Sequence, residues 1–326
     1  MDWKSRRVLV TGATGVVGSW LVKRLLGEGA YVVALIRDWD PRSELIRSGD
    51  VSRTNVINGA LEDYPTVERA IVGHEVDTVF HLGAQTIVGT AQRSPLATFE
   101  SNIRGTYHVL EACRMHTGLV RSVVVASSDK AYGEPQTLPY TEDMPLKGRH
   151  PYDVSKSCAD LIAAAYAHTY GLPVSVARCG NIYGGGDLNW SRIVPGTIRS
   201  LLQDQRPILR SNGHYTRDYI FVQDVVEAYL LLAFKTSEGG VRGEAFNFSC
   251  ETPVTVLQIT SKIQHLMGRT ELEPVILNQA EGEIKDQHLD ASKAKCLLAW
   301  APRYSLEAGL SETIRWYKNF LSFHRD

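Results

Sequence analysis

Apolar positions along the chain fall into two periods. Short runs rich in Val, Ile and Leu occur at Arg7–Val10, Tyr31–Ile36, Thr54–Ile57, Thr78–Leu82, Ser122–Ala126, Pro173–Ala177 and Ala245–Phe248. They are continuous rather than alternating, which is the pattern of strands covered on both faces of a parallel sheet. Between them, apolar residues recur every three or four positions. Leu96, Phe99, Ile103, Leu110 and Cys113 form one such series, with a longer interval around Tyr107. Val154, Cys158, Leu161, Ile162, Ala165 and Thr169 form another. Strand–helix alternation of this kind predicts a doubly wound α/β sheet. After Cys179 the pattern becomes irregular, in "NIYGGGDLNW" and "LRSNGHYTRDY". A smaller, substrate-facing lobe is expected there.

The first strand ends in "VLVTGATGVVGSWLVKRLL", which sets Gly12, Gly15 and Gly18 between a strand and an amphipathic helix. Residues without a Cβ let the backbone approach a pyrophosphate held at the helix N-terminus. The spacing is GxxGxxG rather than GxGxxG, and a purely structural turn is the alternative; the strand–glycine–helix order favours a nicotinamide dinucleotide. At the end of the second strand an acid would bind a ribose hydroxyl and an arginine would suit a 2′-phosphate. The chain has "VVALIRDWD". Arg37 favours NADP over NAD, while Asp38 and Asp40 blunt that preference.

Composition excludes several classes of function. The 326 residues are 44% apolar and 22% charged, an ordinary globular mixture with a net charge of −1. No surface of the kind that binds nucleic acid is implied. The five cysteines, at 113, 158, 179, 250 and 296, are scattered without CxxC or CxxH spacing, so neither a metal site nor a disulfide scaffold is expected. A reducing cytoplasm fits them best. No apolar signal core precedes the first strand, and no apolar run approaches the roughly 20 residues of a membrane span.

Catalytic chemistry is concentrated in two stretches. "HPYDVSKSCADLI" carries Tyr152 and Lys156 four residues apart at the start of a helix, on one face. An ammonium beside a phenol favours phenolate, which can accept a hydroxyl proton when an alcohol is oxidised. "VVVASSDKAYG" ends a strand with Ser128, Asp129 and Lys130, 24 residues before the tyrosine. Turn chemistry would explain those residues. Projection at the carboxyl end of the sheet, where ligands bind in such folds, would make them functional.

With these motifs in view, the chain resembles the extended short-chain dehydrogenase/reductase family, in the branch acting on nucleotide sugars. The resemblance runs from Arg7 to about Tyr317 through "TGATGVVGSWL", "DTVFHLGAQ", "NIRGTYHVLEAC", "SSDKAYGE", "PYDVSK", "ARCGNIYGGGD", "RDYIFVQDVVEAYLLL" and "LDASKAKCLLAWAPRYSLEAGLSETIRWY". It implies a Rossmann domain over 1–178 and 218–250, with an interleaved substrate lobe over 179–217 and 251–326. It implies a nucleoside-diphosphate hexose as substrate and a nicotinamide held and recycled within each turnover. Ser128 would bond the sugar 4-hydroxyl beside Tyr152. Asp129 and Lys130 occupy the positions of the acid/base pair of sugar-nucleotide 4,6-dehydratases, where epimerases carry non-ionisable residues. Asp129 would be the acid at the C6 oxygen. Lys130, where many dehydratases have Glu, could act as base at C5 only if burial or a like charge made it neutral. The Asp–Lys pair looks most like the CDP-glucose 4,6-dehydratase branch.

Further positions follow from the same resemblance. Thr14, Val16 and Val17 in the glycine turn, Leu61, Leu82, Gly83, Ala84, Gln85 and Cys179 would line the cofactor, and Asn102 would fix a water behind Lys156. Asn181 and Arg217, with Arg192 a weaker candidate, would hold the substrate diphosphate. Ala60 stands where the family has an adenine-binding aspartate. His81 reads as structural. The helices around 95–115 and 153–170 would form a four-helix homodimer interface, although burial in their own subunit would explain their stripes equally well. The alternatives are a nucleotide-sugar 4-epimerase, which needs no elimination pair, and a non-catalytic NADP-binding sensor.

Overall fold

The computed structural model describes residues 1–134, 137–279 and 284–322. All seven expected strands join one parallel sheet. They are β1 (Arg7–Thr11), β2 (Tyr31–Ile36), β3 (Asn55–Asn58), β4 (Thr78–His81), β5 (Ser122–Ala126), β6 (Val174–Cys179) and β7 (Ala245–Phe248), in the order β3-β2-β1-β4-β5-β6-β7. The direction of winding reverses between β1 and β4, and a crevice opens at their carboxyl ends.

Five helices cover the sheet: α1 (Val16–Gly27), α2 (Tyr64–Val72), α3 (Gly105–Met115), α4 (Pro151–Tyr170) and α5 (Val222–Glu238). Leu21, Val22 and Leu25 of α1 pack with Val225, Tyr229 and Leu232 of α5 on one face. Val67 and Ile71 of α2, Val109 and Leu110 of α3, and Ala163 of α4 pack on the other. The middle of the sheet is rich in Val, Leu, Ile and Phe because both its faces are covered in this way.

The face that α4 buries is not its apolar stripe. Its inward residues are Tyr152, Ser155, Lys156, Ala159, Asp160 and Ala163, whereas Leu161 of the expected stripe is 59% exposed. Leu96 and Tyr107, on the neighbouring helical segment, are exposed as well. That segment contains a π turn at Glu100–Arg104, which inserts an extra residue into the helix. The polar inner face of α4 is held by a buried ion pair. Arg178 on β6 donates from Nε and Nη2 to Asp160 at 2.8 and 2.9 Å, and from Nη1 to the Tyr132 hydroxyl at 2.7 Å. That hydroxyl donates in turn to Asn247 of β7 at 2.7 Å.

Beyond Cys179 the chain builds the lobe from short pairings. Asn181–Tyr183 lies parallel to Tyr219–Phe221, and Thr216–Arg217 lies between Val254–Thr255 and Asp286–Gln287. Ile208–Leu209 pairs with Val275–Ile276. Tyr183, Ile198, Phe221, Ile259, Leu310 and Tyr317 form its core. One part of the C-terminal region goes elsewhere: Ala291, Ala294, Leu298 and Trp300 return to the sheet and pack against β7 and α5.

Replacing one partner of a buried ion pair leaves the other charge uncompensated, at a cost of about 3–5 kcal/mol. Asp160→Asn is therefore expected to lower the urea-unfolding free energy by about that amount. Equilibrium denaturation checks this, and an unchanged midpoint would remove Arg178–Asp160 as the anchor of α4.

Candidate active site

A cleft of about 1190 Å³ runs from the ends of β1 and β2, past β4, β5 and β6, into the lobe. Its first section is shaped by glycines. Gly12 has φ +68°, and a Cβ there would lie 2.7 Å from the amide nitrogen of Gly83. A Cβ on Gly18 would collide with the Gly12 carbonyl oxygen. Helix α1 starts just after Gly15 with no side-chain cap, so its first-turn N–H groups are available to an anion. The cradle fits a dinucleotide pyrophosphate. Thr14, Val16, Val17, Leu61, Leu82, Gly83, Ala84 and Cys179 line the cleft as expected, together with Arg37 and Asp38. The Nε of Arg37 donates to Asp38 at 2.6 Å.

Gln85 and Asn102 do not line it. Asn102, 2% exposed on the π turn, accepts from the Gln85 amide at 2.6 Å and donates to the Gln85 carbonyl at 3.0 Å and to Ser155 Oγ at 2.9 Å. It ties the loop after β4 to α4 through direct bonds. Sequence reasoning missed Glu62, which lines the cleft beside Leu61 and has one buried carboxylate oxygen with no partner. The stretch that carries it, "NGALED", gave no signal beyond the absence of an aspartate at Ala60.

His81 lies at the end of β4 between two hydroxyls, 2.9 Å from Thr11 Oγ1 and 3.0 Å from Thr106 Oγ1. Thr11 Oγ1 also accepts from the Leu82 and Gly83 amides. The ring therefore joins β1, β4 and α3 under the cofactor cradle.

The catalytic candidates converge further along. Ser128, Asp129, Lys130, Tyr152 and Lys156 all line the cleft. Ser128 Oγ donates to Asp129 at 2.9 Å, accepts from the Lys130 amide at 3.3 Å, and bonds the Tyr152 phenol. Asp129 begins a single 3₁₀ turn, Asp129–Tyr132, and Tyr132 is the residue gripped by Arg178. Burial raises the Asp129 carboxyl above the ordinary range, with Lys130 opposing. The expected depression of the tyrosine is not built into the protein alone. Burial pushes Tyr152 up to about 12, against the pull of Arg192 and the Ser128 bond. Lys156 is itself buried, which pulls it down to about 8, and its Nζ donates to the Ala126 carbonyl at 2.7 Å.

Asn181, Arg192 and Arg217 line the lobe side. Arg192 pairs with Asp187 at 3.0 Å, and Arg217 Nη1 donates to the carbonyls of Thr216 and Lys285 at 2.9 and 2.8 Å. Among the described residues no cluster of His, Cys, Asp and Glu could hold a metal, and no helix is long and apolar enough to cross a membrane.

A parallel sheet with a glycine cradle at its crevice, and a Ser–Tyr–Lys set beside it, defines an extended short-chain dehydrogenase/reductase. Residues 9–313 match the family model described as GDP-mannose 4,6 dehydratase, and the chain belongs to that family. A CDP-glucose 4,6-dehydratase of Salmonella typhimurium is 31% identical over 98% of this chain and 92% of its own. Two solved structures superpose closely. One is the dTDP-glucose 4,6-dehydratase DesIV of Streptomyces venezuelae with NAD bound (TM-score 0.87, 27% identity, 97% of this chain and 98% of that one). The other is a UDP-glucose 4-epimerase of Thermotoga maritima (TM-score 0.87, 29% identity, 97% and 99%).

Burial, and to a lesser degree the positive Lys156, lowers His81 from 6.5 to about 3. The unfolded chain binds a proton near pH 6.5 that the folded ring refuses. Stability is thus complete above that pH and falls as pH drops towards 3, by about 2 kcal/mol at pH 5. Urea midpoints against pH should show the slope in the native protein and a shallower one in His81→Gln.

Proposed function

We propose that the protein is a nucleoside-diphosphate-hexose 4,6-dehydratase, producing a 4-keto-6-deoxy sugar nucleotide. The observation that carries the reading is that Asp129 and Lys130 line the same cleft as Ser128 and Tyr152. An epimerase has no use for an ionisable pair there. Tyr152 takes the 4-hydroxyl proton, with Ser128 bonding the same oxygen and Lys156 charging the local field. The bound nicotinamide supplies a hydride acceptor for C4 and a hydride donor for C6. Once C4 is a ketone, the C5 proton is acidic and the C6 hydroxyl can leave. Asp129, whose raised carboxyl keeps a proton to higher pH, donates to that oxygen. Lys130 is the second group at this end of the sugar. Asn181, Arg192 and Arg217 hold the diphosphate, where the planar fork of arginine suits phosphate.

NAD is the better fit to the cofactor end. The arginine that favoured NADP in the sequence is engaged by Asp38, so a 2′-phosphate would meet a carboxylate there. Glu62 offers its unpartnered oxygen to the adenine amine in place of the missing aspartate. The outward apolar residues of α4 and its neighbour, Leu96, Tyr107 and Leu161 among them, are the face through which two copies pair. Their helices pack side by side and present one surface. Five unpaired cysteines accord with a cytoplasmic enzyme.

The second reading is a nucleotide-sugar 4-epimerase, which the superposition with the Thermotoga maritima enzyme favours. CDP-glucose, dTDP-glucose, UDP-glucose and GDP-mannose separate the two. A dehydratase converts at least one of them to a 4-keto sugar with loss of water, and Asp129→Asn lowers that by about 100-fold or more while C4 oxidation persists. Inverted C4 stereochemistry without water loss, unaffected by Asp129→Asn, would establish the epimerase.

Native mass spectrometry tests the remaining assignments. The expected species is a dimer carrying NAD, with Leu161→Glu giving monomer. A wild-type monomer would overturn the pairing face, and retained NADP would overturn the cofactor assignment.

A further inference from the structure

Water loss across C5–C6 needs a base at C5, and the surroundings of Lys130 do not make it one. The side chain is half-buried, and its amino group donates to Gln287 Oε1 at 3.3 Å. The carboxyls of Asp129 and Asp153 both feel its charge. A lysine becomes a base when it is fully buried or set beside another cation, and Lys130 is only half-buried with two carboxyls close by.

Asp153 has the features that Lys130 lacks. It follows Tyr152 in the first turn of α4, is 4% exposed, and lines the cleft with Asp129, Lys130 and His150. Burial raises its carboxyl, against the opposing charges of Lys130 and His150, while Asp129 adds to the rise. It lies in the first turn of α4, close to His150 and Lys130 on the same cleft wall. A carboxylate made more basic by burial, lining the same cleft as Ser128, Asp129 and Tyr152, is suited to accept a carbon-bound proton.

We propose that Asp153 is the base that removes the C5 proton, and that Lys130 stands beside it as an ammonium donor. The assignment rests on the dehydratase reading. The Asp153 carboxylate takes H5. The C5–H electron pair becomes the C5=C6 double bond as the C6–O bond breaks, and the oxygen leaves as water with the proton of Asp129. When the alkene is reduced at C6, Asp153 returns its proton to C5. The proton that Tyr152 took from the 4-hydroxyl balances the one Asp129 gave up.

The test is turnover in D2O with CDP-glucose, dTDP-glucose, UDP-glucose and GDP-mannose as probes. The native enzyme should place deuterium at C5 of its product. Asp153→Asn keeps the size and shape of the side chain and removes the base. Reduced-nicotinamide absorbance should still develop on adding sugar nucleotide, while C5 deuteration and 4-keto product fall by about 100-fold or more. Asp153→Glu, a base of longer reach, should recover part of both, whereas a purely structural role would favour Asn over Glu. Normal C5 deuteration in Asp153→Asn would overturn the assignment, as would its complete loss in Lys130→Gln alone. A native enzyme giving no 4-keto sugar from any probe would overturn the dehydratase reading and this assignment together.

Discussion

The buried pair between Arg178 and Asp160 is the constraint on which the reacting end of the cleft depends. One guanidinium reaches three elements: the catalytic helix through Asp160, the 3₁₀ turn through Tyr132, and the far strand through the Tyr132–Asn247 bond. Tyr152 and Lys156 are carried by the first element, and Asp129 and Lys130 by the second. Their separation is therefore set by a planar fork with little freedom of its own. Stacking of Tyr132 on Tyr140, with ring centroids 4.8 Å apart, stiffens the same turn.

Around that anchor the two ends of the cleft obey different physics. The cofactor end is built from backbone: glycines, a bare helix start, and His81 kept neutral between two threonines. It needs few charges because oriented amides supply the field. The sugar end is built from ionisable side chains in low exposure. Burial raises carboxyls and lowers a lysine there, so each group sits nearer the point at which it can exchange a proton. The tyrosine goes the other way, raised by its burial and opposed by Arg192 and Ser128.

Much of this was legible in the sequence. Continuous apolar runs located all seven strands, because a sheet covered on both faces favours apolar residues along most of each strand. The glycine turn was legible because its requirement is local and steric. The face of α4 was not. Its apolar positions drew attention to Leu161 and Ile162, whereas the helix buries Ser155, Lys156 and Asp160, whose partners lie on elements remote in sequence. A hydrophobic stripe marks what avoids water, and a second subunit can serve as well as a core. Glu62 was missed, and the direct bonds of Asn102 were not foreseen, for a related reason. The open oxygen of one and the three bonds of the other are properties of a folded neighbourhood, and no spacing rule encodes them.

The return of Ala291, Ala294, Leu298 and Trp300 to the sheet has a consequence for how the chain is made. A ribosome releases the large domain's strands long before it releases the segment that seals their underside. The nascent sheet must wait, with part of its apolar floor uncovered, until the lobe has been synthesised.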